Sequence, residues 1–172
     1  VTLYHWDLPQ KLFEDLGGGW EKRETVEAFT QYAESCLSRY GDRVKLWASI
    51  NEPAWTTLNG YVTALHPPCR HNFKEAVQAA SNMLVAHAKV HELAHSIHDD
   101  IQLGLVLNMS QVHPADPESQ EDKRAAQIAD GVLNRWFFEP ILLGRFPRDM
   151  VKIYEERGLF PELSPSDEQL LS

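Results

Sequence analysis

Three short apolar runs punctuate the chain: VTLY at 1–4, VKLWASI at 44–50 and IQLGLVLN at 101–108. Each is bounded by polar or proline-containing sequence, which is the pattern of a strand. Elsewhere apolar positions recur every three to four residues. Val26, Phe29, Ala33, Cys36, Leu37 and Tyr40 make one such stripe and predict a helix from about Arg23 to Tyr40, ended by Gly41. Ala76, Val77, Ala80, Leu84, Ala88, Val90 and Ala94 make a second and predict a helix from about Phe73 to His98. A third is expected over about Glu121 to Phe138, stopped by Pro140.

A strand, a long loop, a helix and then another strand is the order of βα units around a parallel sheet. Such a sheet is either open and doubly wound or closed into a barrel. No GxGxxG and no P-loop follows any strand, and LGGGW at 16–20 lacks phosphate-binding spacing. Polar residues gather instead where strands end: His5, Trp6 and Asp7, then Asn51 and Glu52, then Asn108. That rim is where (β/α)₈ barrels assemble their sites. A full barrel needs about 250 residues, and three βα units are visible. The expected fold class is α/β, part of a (β/α)₈ TIM barrel, with residues 1–172 a partial catalytic domain cut at both ends.

Composition narrows the function. With a net charge of −9 and no basic patch, the chain is not expected to bind nucleic acid. No apolar run approaches the roughly 18 residues of a membrane span. Cys36 and Cys69 form neither a disulfide framework nor a CxxC site. A cytoplasmic location is expected, although the chain starts inside a strand and without Met. Oligomeric state is not legible.

The chemistry centres on Asn51-Glu52-Pro53. Pro53 biases Glu52 toward extended backbone. A carboxyl held there and enclosed by Trp47 and Trp55 is partly desolvated, which favours the protonated form a general acid needs. Strict alternation sends Asn51 and Glu52 to opposite faces, so a shared site requires the backbone to bend or bulge there. The plainer reading is a solvated Glu opening a loop. His5 and Trp6 supply an imidazole and an indole N–H beside an aromatic face, a combination suited to a neutral ring rich in hydroxyls. Taken singly, each also reads as an ordinary packed residue.

The stretch VTLYHWDLPQKL…GGW…RETVEAFTQYAESCLSRYGDRVKLWASINEP closely resembles family 1 glycoside hydrolases, the retaining β-glucosidases built on (β/α)₈ barrels. The resemblance continues through GYVTALHPP, NMLVAHAKV, LGLVLNMSQVHPADP and NRWFFEPILLGRFPRDM, and so covers essentially the whole chain. It implies that Glu52 is the catalytic acid/base at the end of the family's strand four. It implies that Asn51 binds the sugar 2-hydroxyl, and that His5 and Trp6 bind the glycone near its 3-hydroxyl. Asn108, at the end of strand five, falls at a supporting position behind them. The substrate implied is a small β-glucoside or oligosaccharide, with no cofactor, metal, nucleic acid or membrane involved.

The family's nucleophile is a second Glu in a Glu-Asn-Gly motif on strand seven, and no such motif occurs here. The resemblance therefore implies a piece that does not turn over substrate alone. SINEP replaces the usual Thr-Phe-Asn-Glu-Pro, and GGGW carries an extra glycine. WDLP and NEP stand where phospho-sugar members commonly have Phe-Glu-Met-Pro and Asn-Glu-Ile, which favours an unphosphorylated glycone over the alternative, a 6-phospho-β-glucosidase.

Two readings from other classes remain. HELAH at 91–95 matches the HExxH helix of zinc proteases, with His87 extending the row. It lacks a convincing third ligand, because buried-strand sequence follows. A non-catalytic sugar-binding remnant is the other, although Glu52 is retained.

Overall fold

Each of the three apolar runs forms a strand in the computed structural model, which describes residues 1–171. β1 (Thr2–Tyr4), β2 (Leu46–Asn51) and β3 (Gln102–Val106) pair in parallel, in the order β1-β2-β3. Parallel neighbours need a crossover, and helices supply it. α1 (Gln10–Leu16) and α2 (Arg23–Tyr40) join β1 to β2. α3 (Pro53–Thr57), a π-helical turn over Leu58–Val62 and α4 (Phe73–Ile97) join β2 to β3. After β3 come α5 (Gln120–Asp130), a second π-turn over Gly131–Arg135, then α6 (Trp136–Leu143), α7 (Arg148–Glu156) and α8 (Pro165–Leu170). All three strands run the same way, so their C-terminal ends share one edge of the sheet.

The helices pack on one face only. Leu46, Gln102, Gly104 and Val106 are exposed on the sheet, while Leu3, Trp47 and Ser49 are buried. α4 is the centre of the core. Ala79, Met83, Leu84, Val85, Ala86, Val90 and Ala94 lose all exposure, which is more than one stripe of a helix. The sequence pattern foresaw a single apolar face. α2, α3, α6, α8 and the sheet all pack against α4, and its alanines permit that close approach. Asn72 caps its start by accepting hydrogen bonds from the N–H groups of Lys74 and Glu75.

Two helix ends differ from expectation. Gly41 does end α2, but with φ −63° and not in the left-handed form common at such stops. Space decides it: a Cβ there would meet the Leu37 carbonyl and the His98 ring. Pro140 does not stop its helix, which continues to Leu143 and ends at Gly144, φ 62°. The ring holds φ in the helical range and removes only one donor. Burial of Trp136, Phe137 and Pro140 outweighs that loss.

A polar contact fastens α4 to the sheet. His87 Nδ1 lies 2.8 Å from Ser49 Oγ, and both side chains are buried. Burial, aided by His91, pushes the His87 pKa down to about 4. The unfolded chain takes up this proton near pH 6.5. Stability is therefore lost as pH falls below about 6.5, and the loss levels off below about 4, at about 3 kcal/mol. Urea unfolding at pH 7.5 and pH 4 should show wild type losing that amount relative to His87→Asn. Parallel pH profiles for the two proteins would contradict it.

Candidate active site

β2 does not keep a regular register to its end. Ala48 pairs with Gly104 and Asn51 with Val106, so three steps on β2 face two on β3. The extra residue falls before Asn51 and sets which face Asn51 takes, whereas the break in alternation between Asn51 and Glu52 comes at Glu52 itself. The Glu52 N–H still donates to Val106 O at 2.8 Å, as the last rung of the ladder. Its backbone then turns to φ 47°, ψ 62°. The expected extended conformation is thus corrected. Pro53 opens α3 and disfavours the right-handed helical region for Glu52, and the Glu52 carbonyl must face α3, where it accepts from the N–H groups of Trp55 and Thr56. The left-handed form meets both demands.

Trp6 is the second strained residue, with φ 78°. Positive φ is rare for a bulky side chain and persists only where surrounding bonds enforce it. Here the Tyr4 hydroxyl donates to Trp6 O at 3.0 Å, and Trp6 Nε1–H donates to Asn51 O at 3.0 Å. Burial pushes the Tyr4 pKa up to about 12, so it stays a donor at neutral pH.

Three of the expected residues, His5, Trp6 and Asn51, meet on this rim, and Glu52 follows them in the chain. The Asn51 amide Nδ2 donates to His5 Nε2 at 3.2 Å, which leaves the ring proton on Nδ1. The His5 and Trp6 rings meet edge to face at 5.4 Å. Glu52 follows Asn51 directly and is half-buried. No described residue makes a hydrogen bond or ion pair to its carboxylate. Trp47 does not enclose it: its indole N–H donates to Val44 O at the other end of β2, about 16 Å away along the strand. Asn108 lies two residues beyond β3, exposed, with no hydrogen bond from its side chain to any described residue.

Sequence reasoning missed His66, whose ring lies 5.4 Å from that of Trp6. A cleft of about 610 Å³ opens beside them, lined among others by Tyr4, Trp6, Trp20, Tyr61, His66 and Cys69. The His66 loop is held from behind. Tyr61 O–H donates to Glu21 Oε2 at 2.7 Å and accepts from Trp20 N–H at 2.9 Å. Arg70 bridges Glu75 at 2.8 Å and Glu21 at 3.4 Å. No local motif signals this, since the partners are some 40 residues apart in sequence.

The HELAH histidines do not form a metal site. His87 turns inward to Ser49, while the His91 and His95 rings pack edge to face at 4.6 Å. Among the described residues no group of three metal-ligating side chains converges, and no helix is long and apolar enough to cross a membrane.

Successive parallel strands with helices on one face and polar residues along one rim make this a stretch of a (β/α)₈ barrel. Comparison with known proteins specifies which one. The family model for Glycosyl hydrolase family 1 matches residues 1–172, and the chain belongs to that family. It is 36% identical to beta-glucosidase A of Acetivibrio thermocellus over 172 residues, all of this chain and 38% of that protein. It is 35% identical to 6-phospho-beta-glucosidase GmuD of Bacillus subtilis over 97% of this chain and 35% of that protein. The crystal structure of a beta-glucosidase from Exiguobacterium marinum superposes with a TM-score of 0.91 at 35% identity, over 100% of this chain and 39% of that one. The chain thus spans little more than a third of the length of the relatives it matches.

The left-handed turn at Glu52 makes a stability prediction. A non-glycine residue there costs about 1–2 kcal/mol, and glycine's extra entropy returns about 0.5–1 of that. Glu52→Gly should therefore raise the urea-unfolding free energy by about 0.5–1 kcal/mol. A lower value would mean that the turn carries no strain.

Proposed function

We propose that this chain contributes the acid/base half of a retaining β-glycosidase active site acting on β-glucosides. One observation carries the reading: a half-buried glutamate, its carboxylate without a partner among the described residues, follows directly on an amide–imidazole–indole cluster at the shared strand edge. A retaining glycosidase needs two carboxyl groups about 5–5.5 Å apart. In this reading Glu52 is one of them. It protonates the departing glycosidic oxygen, then takes a proton from water when the glycosyl-enzyme is hydrolysed. Asn51 Nδ2–H donates to the sugar 2-hydroxyl, an interaction that strengthens in the oxocarbenium-like transition state. His5 and the Trp6 indole bind the remaining glycone hydroxyls and its C–H face. The nucleophile is a second Glu supplied outside these 172 residues, which on their own should hydrolyse nothing.

The names of the matched relatives support β-glucosidase activity, and one supports a second reading, a 6-phospho-β-glucosidase. WDLP and NEP favour the unphosphorylated sugar. Cys36 and Cys69 are both unpaired, which suits a reducing, cytoplasmic setting.

The test uses the protein expressed from its full reading frame. Glu52→Gln should lower hydrolysis of alkyl β-glucosides about 10²- to 10⁴-fold. For glycosides with activated aryl leaving groups, which need no proton to depart, it should spare kcat/KM while kcat falls, because the second step still loses its base. Equal losses in kcat/KM on both substrates would remove Glu52 from the acid role. Turnover of aryl 6-phosphoglucosides alone would establish the second reading instead.

A further inference from the structure

Ser49 and His87 are buried polar residues directly behind the rim, and the reading above assigns them nothing. Ser49 is fully buried and lies within the interval where β2 slips against β3, between Ala48 and Asn51. Its hydroxyl oxygen is 2.8 Å from His87 Nδ1 and 3.4 Å from Gly104 O, the carbonyl across the slip. One hydroxyl proton cannot serve both contacts. Both are satisfied when His87 Nδ1–H donates to Oγ and the Ser49 hydroxyl donates to Gly104 O. His87 is held by α4, which is buried continuously from Ala79 to His87.

We propose that His87 and Ser49 form a latch that holds β2 in its bulged register, making both of them positioning residues for Asn51 and Glu52. This rests on the glycosidase reading for its effect on turnover, but the latch itself concerns the strand. The competing arrangement is a regular ladder in which Ile50, not Asn51, stands opposite Val106. Side chains alternate along a strand, so that one-residue change sends Asn51 to the other face. It also takes the Glu52 N–H away from Val106 O. A buried hydroxyl anchored to a helix on one side and to the neighbouring strand on the other selects between these registers at the residue where they diverge.

The test again uses the protein from its full reading frame, with Ser49→Ala, His87→Leu, His87→Asn and the Ser49→Ala/His87→Leu double variant. Asn places a hydrogen-bonding atom near the Nδ1 position, whereas Leu places none. Well below each melting temperature, Ser49→Ala and His87→Leu should each lower kcat on an aryl β-glucoside roughly 10- to 100-fold. KM should stay within about threefold, and the double variant should be no worse than either single one, as expected of a shared contact. His87→Asn should return to within about threefold of wild type. Unchanged kcat in Ser49→Ala, or a His87→Asn loss equal to that of His87→Leu, would overturn the latch. If His87→Leu does not fold, Ser49→Ala and His87→Asn decide the matter. If wild type hydrolyses no glycoside, the glycosidase reading fails and amide hydrogen exchange at Glu52 tests the latch alone. Exchange should then accelerate at least about tenfold in Ser49→Ala while the amides of α2 hold steady, and an unchanged Glu52 amide would refute it.

Discussion

The hydrogen bond from Glu52 N–H to Val106 O is the last rung between β2 and β3, and it is made one residue out of regular step. That displacement sets the face Asn51 takes, toward His5, and the left-handed turn at Glu52 then breaks the alternation of the strand at the start of α3. Trp6 Nε1–H then ties β1's end to the Asn51 carbonyl. Without the extra residue on β2, Asn51 would turn to the other face of the sheet, away from His5.

Strain at this rim is confined and opposed. Trp6 and Glu52 both occupy left-handed backbone, each at a cost of order 1–3 kcal/mol. Both carbonyls are already engaged. The Trp6 carbonyl accepts from Tyr4, whose ring is edge-on to Trp20 and Phe29 at 5.1 and 6.4 Å. The Glu52 carbonyl is taken by α3 and its N–H by β3. The core behind them therefore holds the functional geometry against the local preference of the chain.

Much of this was legible in the residues. The three strands, α2 and α4 follow from apolar spacing, and the family motifs mark His5, Trp6, Asn51 and Glu52. The need for a bend or bulge at Asn51 and Glu52 follows from the two-residue period of a strand. What could not be read depends on contacts distant in sequence. The left-handed turn at Glu52 arises because its carbonyl faces a helix and its amide faces another strand, whereas the pre-proline preference alone suggested an extended form. Pro140 looked like a stop because burial of its neighbours is not visible in the local pattern. His66 and the Glu21–Tyr61 bond join segments that only the folded chain brings together. Trp47 was misplaced for a simpler reason: it is close to Glu52 in number but lies at the other end of the strand.

The strand order has a consequence for how the chain is made. β1, β2 and β3 are neighbours in space in the order in which they are synthesised, so each new unit docks on the one just completed. Residues 1–51 can pair before the next crossover has left the ribosome. The acceptor for the Glu52 amide, however, emerges more than fifty residues later. Until then the end of β2 has no template for its irregular step, and the glutamate's geometry is settled only when the third strand arrives.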